Sequence, residues 1–200
     1  MAENKKTVRT VIVVVFLCIL ALGYYAYLSD KNAKKQKEVQ LTEKDELLLW
    51  DLNKDYPHSP NDVVKLYSRM ISCIYNDRLE GKDLEKMVKQ MRLLYDDSFA
   101  EETGNSEEEQ ISNLEQELAG YGKNDHKITN YTVGELSQVE YGKVDGRQTA
   151  CVDAVYTLRM DNEYSKEPQI YILVQDEDEN WKILGWQANI EQNAGSGTKE

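Results

Sequence analysis

Two hundred residues with 36 acidic against 24 basic side chains carry a formal net charge of −12, a balance that repels phosphate backbones, so no nucleic acid is expected as a partner. Three cysteines are too few for a disulfide framework, and no Cys or His cluster has metal-ligand spacing, so neither a metal nor another cofactor is expected. Tyrosine is heavily used, with 13 copies against two of Phe, which suits half-buried faces and ligand pockets alike.

The chain opens on a basic stretch, residues 1–10, with Lys5, Lys6 and Arg9 ahead of an uncharged apolar run from Val11 to Leu28. At the helical rise that run spans about 27 Å, close to a bilayer core. Ala21-Leu22-Gly23 satisfies the small-residue rule for signal cleavage, yet the run continues through Tyr24, Tyr25, Tyr27 and Leu28 to spanning length with an aromatic belt. Residues 11–28 are therefore expected to stay in membrane lipid as a single-pass signal-anchor. Cys18 lies inside the run behind Phe16 and Leu17, which a lipoprotein signal does not favour. Lys31, Lys34, Lys35 and Lys37 follow the span, so the positive-inside rule is nearly balanced. The short N-terminus and the tyrosine belt favour an N-inside orientation at the cell membrane, with the rest of the chain extracytoplasmic.

Residues 29–55 read as a linker, Lys-rich at first and helical around Glu46-Leu47-Leu48-Leu49-Trp50-Asp51-Leu52. Glu43, Asp45, Glu46 and Asp51 would be repelled by anionic lipid, so this stretch is expected to pack back on the domain rather than lie on the membrane surface.

A domain over 56–187 follows. Ser59 can cap a helix with Pro60 at its first position, and Val63, Tyr67, Met70, Ile71 and Ile74 make its apolar face, with Lys65, Ser68, Arg69 and Ser72 opposite. After Gly81 a second amphipathic helix is expected from about Asp83 to Asp96. Ser106 and Glu109 form a capping-box pair that opens a third, lined by Ile111, Leu114, Leu118 and Tyr121.

From Lys127 the period changes to two. Ile128 to Tyr141 reads as one long strand with a bulge at Gly134, and Asp145-Gly146 as a hairpin turn. Arg147 to Met160 alternates, with Ala150, Val152, Ala154, Tyr156, Leu158 and Met160 on one face. Asp161 to Lys166 is expected to turn, Pro168 to Gln175 and Trp181 to Gln187 to be strands, and 188–200 to be a disordered tail. The fold class is α+β: three helices packed on a bent four-stranded antiparallel sheet.

That order of elements is similar to the NTF2-like, cystatin-like fold, a cone of helices in a bent sheet. Tyr56-Pro57 with Val63-Val64-Lys65-Leu66-Tyr67, Gln90-Met91-Arg92 with Leu94-Tyr95-Asp96, and Trp181-Lys182-Ile183-Leu184-Gly185-Trp186 resemble a family of uncharacterised single-pass membrane proteins of Gram-positive anaerobes. The resemblance implies an anchored domain and carries over no catalytic residue. NTF2-like domains pair through the sheet, which makes a homodimer an expectation of the same kind. Their cones sometimes hold a small apolar ligand, and here Tyr67, Tyr95, Tyr156 and Trp186 are the residues placed to line such a pocket.

Two carboxylate arrangements bear on possible chemistry. Asp153 is the acid centred in a strand, but it shares a face with Thr157 and Arg159 and reads as solvated. Asp176, Asp178 and Asn180 have the spacing of a calcium loop, but Trp181 and Gln187 stand where that loop needs Gly and Glu. Asn130-Tyr131-Thr132 is a glycosylation sequon by pattern, set in a strand. The expected function is non-enzymatic binding of a protein partner or small ligand by a tethered module, the alternative being a cavity enzyme of isomerase or hydratase type.

Overall fold

The computed structural model describes residues 41–102, 106–120 and 126–189. The apolar run 11–28, Cys18 and Tyr121 lie outside these residues, as do the linker up to residue 40 and most of the 188–200 tail. Among the described residues no helix is long and apolar enough to cross a membrane. From Glu43 onward they belong to one compact unit, an α+β arrangement of five helices and an antiparallel sheet. The helices are α1 (Glu43–Leu49), α2 (Pro60–Asp77), α3 (Gly81–Arg92), α4 (Asp97–Ala100) and α5 (Glu107–Gly120); the strands are β1 (Lys127–Val133), β2 (Glu140–Val144), β3 (Arg147–Met160), β4 (Glu163–Gln175) and β5 (Trp181–Ala188).

Besides the three helices expected in the domain, the structure has the helical stretch expected in the linker, as α1, and the short α4. Leu47 and Leu48 of α1, with Leu52 after it, are buried in the core. Arg69 of α2 holds α1 in place through Glu43 at 2.9 Å and Glu46 at 3.1 Å. The one-turn helix α4 exists because Asp96 accepts the Ser98 N–H at 3.2 Å and caps it.

Helix α2 is built as its sequence dictates. Ser59 Oγ accepts the Asp62 N–H, Pro60 fills the first position, and Val63, Val64, Tyr67, Met70 and Ile74 are buried along one stripe. Ser106 and Glu109 close a reciprocal capping box on α5, each bond 3.2 Å. Helix α3 stops at Arg92 rather than at Asp96, because the sheet takes the residues beyond it. The Ile183 N–H donates to the Leu94 carbonyl at 2.7 Å, and the Asp96 N–H donates to the Ile183 carbonyl at 2.9 Å.

The sheet runs β1-β3-β4-β5, with β2 also against β3. The long strand expected over 128–141 is two strands end to end on one edge of β3. Val133 lies opposite Ala154 and Glu140 opposite Cys151, so the stretch 134–139 loops out against Val152 and Asp153 alone. Gly134 is where the chain departs: its N–H donates to the Asp153 carbonyl at 2.8 Å, and a side-chain carbon there would sit 3.4 Å from that oxygen. The Asp145-Gly146 turn has φ 49° and 86°, both positive as a type I′ hairpin requires.

The turn expected over Asp161 to Lys166 is instead a two-residue turn at Asp161-Asn162, with Met160 paired to Glu163 and strand geometry through 163–167. Residues 161–167 are exposed on both faces, so this end of the ladder has no apolar alternation for a sequence to display. Register shifts at Ile128/Asn130 and Ile172/Leu173 bend the sheet around α2. Val152, Ala154, Tyr156, Tyr171, Leu173 and Ile183 on its inner face meet Val63, Tyr67, Met70, Met87 and Met91 to form the core.

Candidate functional site

Between α2 and the inner face of the sheet lies a cavity of about 270 Å³. Ile71 and Tyr75 come from α2, Ile128 from β1, Tyr156 and Leu158 from β3, Tyr171 from β4 and Trp186 from β5. Asn76, one turn on from Ser72, clamps the helix to this wall. Its side-chain amide donates to the Ile128 carbonyl at 2.9 Å and accepts the Ile128 N–H at 3.0 Å. An asparagine thus serves as a strand partner at the point where the register of β1 shifts.

Of the four tyrosine and tryptophan residues singled out from the sequence, Tyr67, Tyr156 and Trp186 line this cavity. Tyr95 packs behind it, 6.2 Å from the Tyr67 ring and 6.5 Å from Trp186, with its hydroxyl accepting from Gln110 at 2.9 Å. Tyr171 was not anticipated and is central. Its ring lies 5.6 Å from Tyr67 and 5.9 Å from Trp186, and it is 2% exposed. The signal available for it was register alone: Tyr171 pairs with Val152 on one side and Trp186 on the other.

Ser68, expected on the polar face of α2, is fully buried. It is tolerated there because its hydroxyl donates to the Val64 carbonyl at 2.7 Å and meets the Tyr156 hydroxyl at 2.7 Å. Tyr156 Oη in turn meets Tyr171 Oη at 2.7 Å. Burial, with the neighbouring Tyr95 and Tyr171, pushes the Tyr67 phenol well above its ordinary value. Burial raises Tyr171 and Tyr156 as well, in the latter case against the Ser68 and Tyr171 hydrogen bonds. All three phenols are therefore held as neutral O–H groups.

The rim is charged. Glu117, Lys127 and Glu167 are exposed there, alongside His126 and Arg159. The floor is aromatic and hydroxylic. Trp186, 40% exposed, joins the two.

Asp153 is exposed, away from the core face that Val152 and Ala154 share, and accepts from the Asn189 amide at 3.1 Å. Asp176 uses one oxygen to accept the Asp178 and Asn180 N–H groups at 3.0 and 2.8 Å, which is the work of a hairpin turn. Among the described residues no group of three or more acidic, His or Cys side chains is placed to hold a metal ion. A larger and more polar groove, about 930 Å³, runs past Asp96, Arg147, Asp176 and Lys182, whose charges are already paired with one another.

A family model described as a domain of unknown function, DUF6715, matches residues 1–186. No curated protein matches the chain. Among solved structures, the helical cell shape determining protein Pgp2 from Campylobacter jejuni is similar over 63% of this chain and 41% of its own length, at 11% identity and a TM-score of 0.37. The chain thus spans under half the length of that protein. A protein from Catenulispora acidiphila is similar over 66% of this chain and 92% of its own, at 9% identity and the same TM-score.

Proposed function

The chain belongs to the DUF6715 family of domains of unknown function, and we propose that its domain is a non-enzymatic binding module whose ligand is a small molecule with an apolar body. The observation that carries this reading is the 270 Å³ cavity walled by Tyr67, Tyr171, Trp186 and Ile71, large enough for one substituted ring or two fused ones. An isomerase or hydratase acting there would need a desolvated carboxylate within reach of the substrate. The acids at the cavity, Glu117 and Glu167, are exposed at its rim, and Asp153 faces elsewhere.

We further propose an anchor, a location and a fold type. Residues 11–28 anchor the protein in the cell membrane, the domain stands on the extracytoplasmic side, and the bent sheet around α2 is of the NTF2-like type. Support for the first two comes from the uncharged run and the order of its flanks, and for the third from the element order and the sheet's bend.

Saturation-transfer NMR on the full chain with single-ring probes tests the binding reading. At least one of phenol, benzylamine, anisole and benzoate should bind, and Ile71→Trp, which fills the cavity, should abolish the signal. Failure of all four, or binding unaffected by Ile71→Trp, removes the proposal. Capture of a protein partner or of a second copy on the sheet, without any cavity ligand, would favour the alternative occupant.

A further inference from the structure

The direction of the hydroxyl relay in the cavity wall is fixed by one atom. The Val64 carbonyl can only accept, so the single proton of Ser68 Oγ is committed to it at 2.7 Å. Ser68 must then accept from Tyr156, which spends the Tyr156 proton. Tyr156 must accept from Tyr171, which spends the last one. Tyr171 lines the cavity, and its Oη, with its proton spent on Tyr156, is left with acceptor capacity that no described residue fills.

Building on the binding reading above, we infer that the ligand enters with a hydrogen-bond donor foremost, a hydroxyl or an amine on a ring-sized apolar body, and seats it on Tyr171 Oη. A carboxylate, carbonyl or ether at that end would face an oxygen with no proton to offer and leave two acceptors opposed. The aromatic faces of Tyr67 and Trp186 beside Tyr171 suit the body of such a molecule, and they suit an ammonium as well as a phenol.

The four probes separate these chemistries. Phenol and benzylamine bring a donor, the second with charge, whereas anisole and benzoate bring only acceptors. With the full chain, the two donors should bind at least about tenfold more tightly than the two acceptors, the effect of one satisfied hydrogen bond. Phenol against benzylamine then tells a neutral hydroxyl from an ammonium.

Tyr171→Phe should bring the donor-to-acceptor ratio towards one. Ser68→Ala should do more. With the terminal acceptor gone, Tyr156 can turn its proton to Tyr171 and Tyr171 its own into the cavity, so anisole and benzoate should gain affinity. A ratio near one in the unaltered protein, or tighter binding of benzoate or anisole, overturns the inference while leaving the binding reading intact. Absence of binding by all four overturns both.

Discussion

Arg147, the first residue of β3, donates through Nη2 to Asp96 Oδ2 and through Nε to the Gln175 carbonyl at 3.0 Å, so one guanidinium joins two strands to the cap of α4. The Asp96 side chain is only 7% exposed. Burial pushes its carboxyl up, but the hydrogen bonds from Arg147 and Ser98 outweigh burial and hold it below the usual carboxylate range.

Asp96→Asn keeps a capping oxygen and removes the charge, and should cost about 1–3 kcal/mol at neutral pH. A carboxyl whose folded pKa lies below its unfolded value stabilises the fold above about pH 4 and loses that contribution as pH falls through the folded value. Urea denaturation of the two proteins should therefore show a stability gap that is constant at neutral pH and narrows below about pH 4. A gap equally wide at pH 7 and pH 3 would mean that the ion pair contributes nothing.

The relay should behave as one unit in stability too. Ser68→Ala and Tyr156→Phe are each expected to cost about 1–2 kcal/mol, since each strands a buried hydroxyl partner. Because both remove the same contact, the double variant should be about 1 kcal/mol more stable than the sum of the singles implies. Additive losses in the chemical-denaturation midpoints would show that the two hydroxyls are energetically independent.

Cys73 is expected to be inert while the domain is folded. Burial, with Asp77 Oδ2 receiving the thiol at 3.4 Å, pushes its pKa up to about 12. At pH 8 only about one thiol in ten thousand would be ionised, and the thiolate is the reactive form. Iodoacetamide labelling followed by peptide mass spectrometry should leave Cys73 unmodified in the native protein and modify it readily in urea, with the partly exposed Cys151 labelled sooner. Equal rates for Cys73 in both conditions would contradict its placement against Asp77.

The proposed location has a direct measurement. Protease added to intact cells should remove the domain, and carbonate washing should leave the full chain with the membrane while releasing a form that lacks residues 1–40. Protection of the domain in intact cells, with digestion only after lysis, would place it on the inner side.

Much of the fold was legible because its determinants are local. The Ser59-Pro60-Asp62 start, the Ser106/Glu109 box, the Asp145-Gly146 turn and the inward face Ala150-Val152-Ala154-Tyr156 each lie within a few residues of the chemistry that sets them. The places where sequence reading went astray are those decided at long range. Helix α3 ends early because β5, almost ninety positions later in the chain, bonds to Leu94 and Asp96. The strand over 128–141 breaks because β3 offers only two residues opposite 134–139. At the cavity, aromatic residues could be picked by composition and spacing. Ser68 and Tyr171 could not, since Ser68 looks like any exposed helix serine until Tyr156, 88 positions on, is set against it.

The short stretch Leu94–Asp96 does more than end a helix. It lies along the outer margin of β5 as a parallel bridge, Tyr95 beside Ile183, and occupies both the N–H and the carbonyl that Ile183 would otherwise present outward. An open strand margin is the template on which other chains add and fibrils grow. With the Ile183 rung already taken by the molecule's own backbone, this margin of β5 withholds that part of the template from its neighbours in a crowded solution.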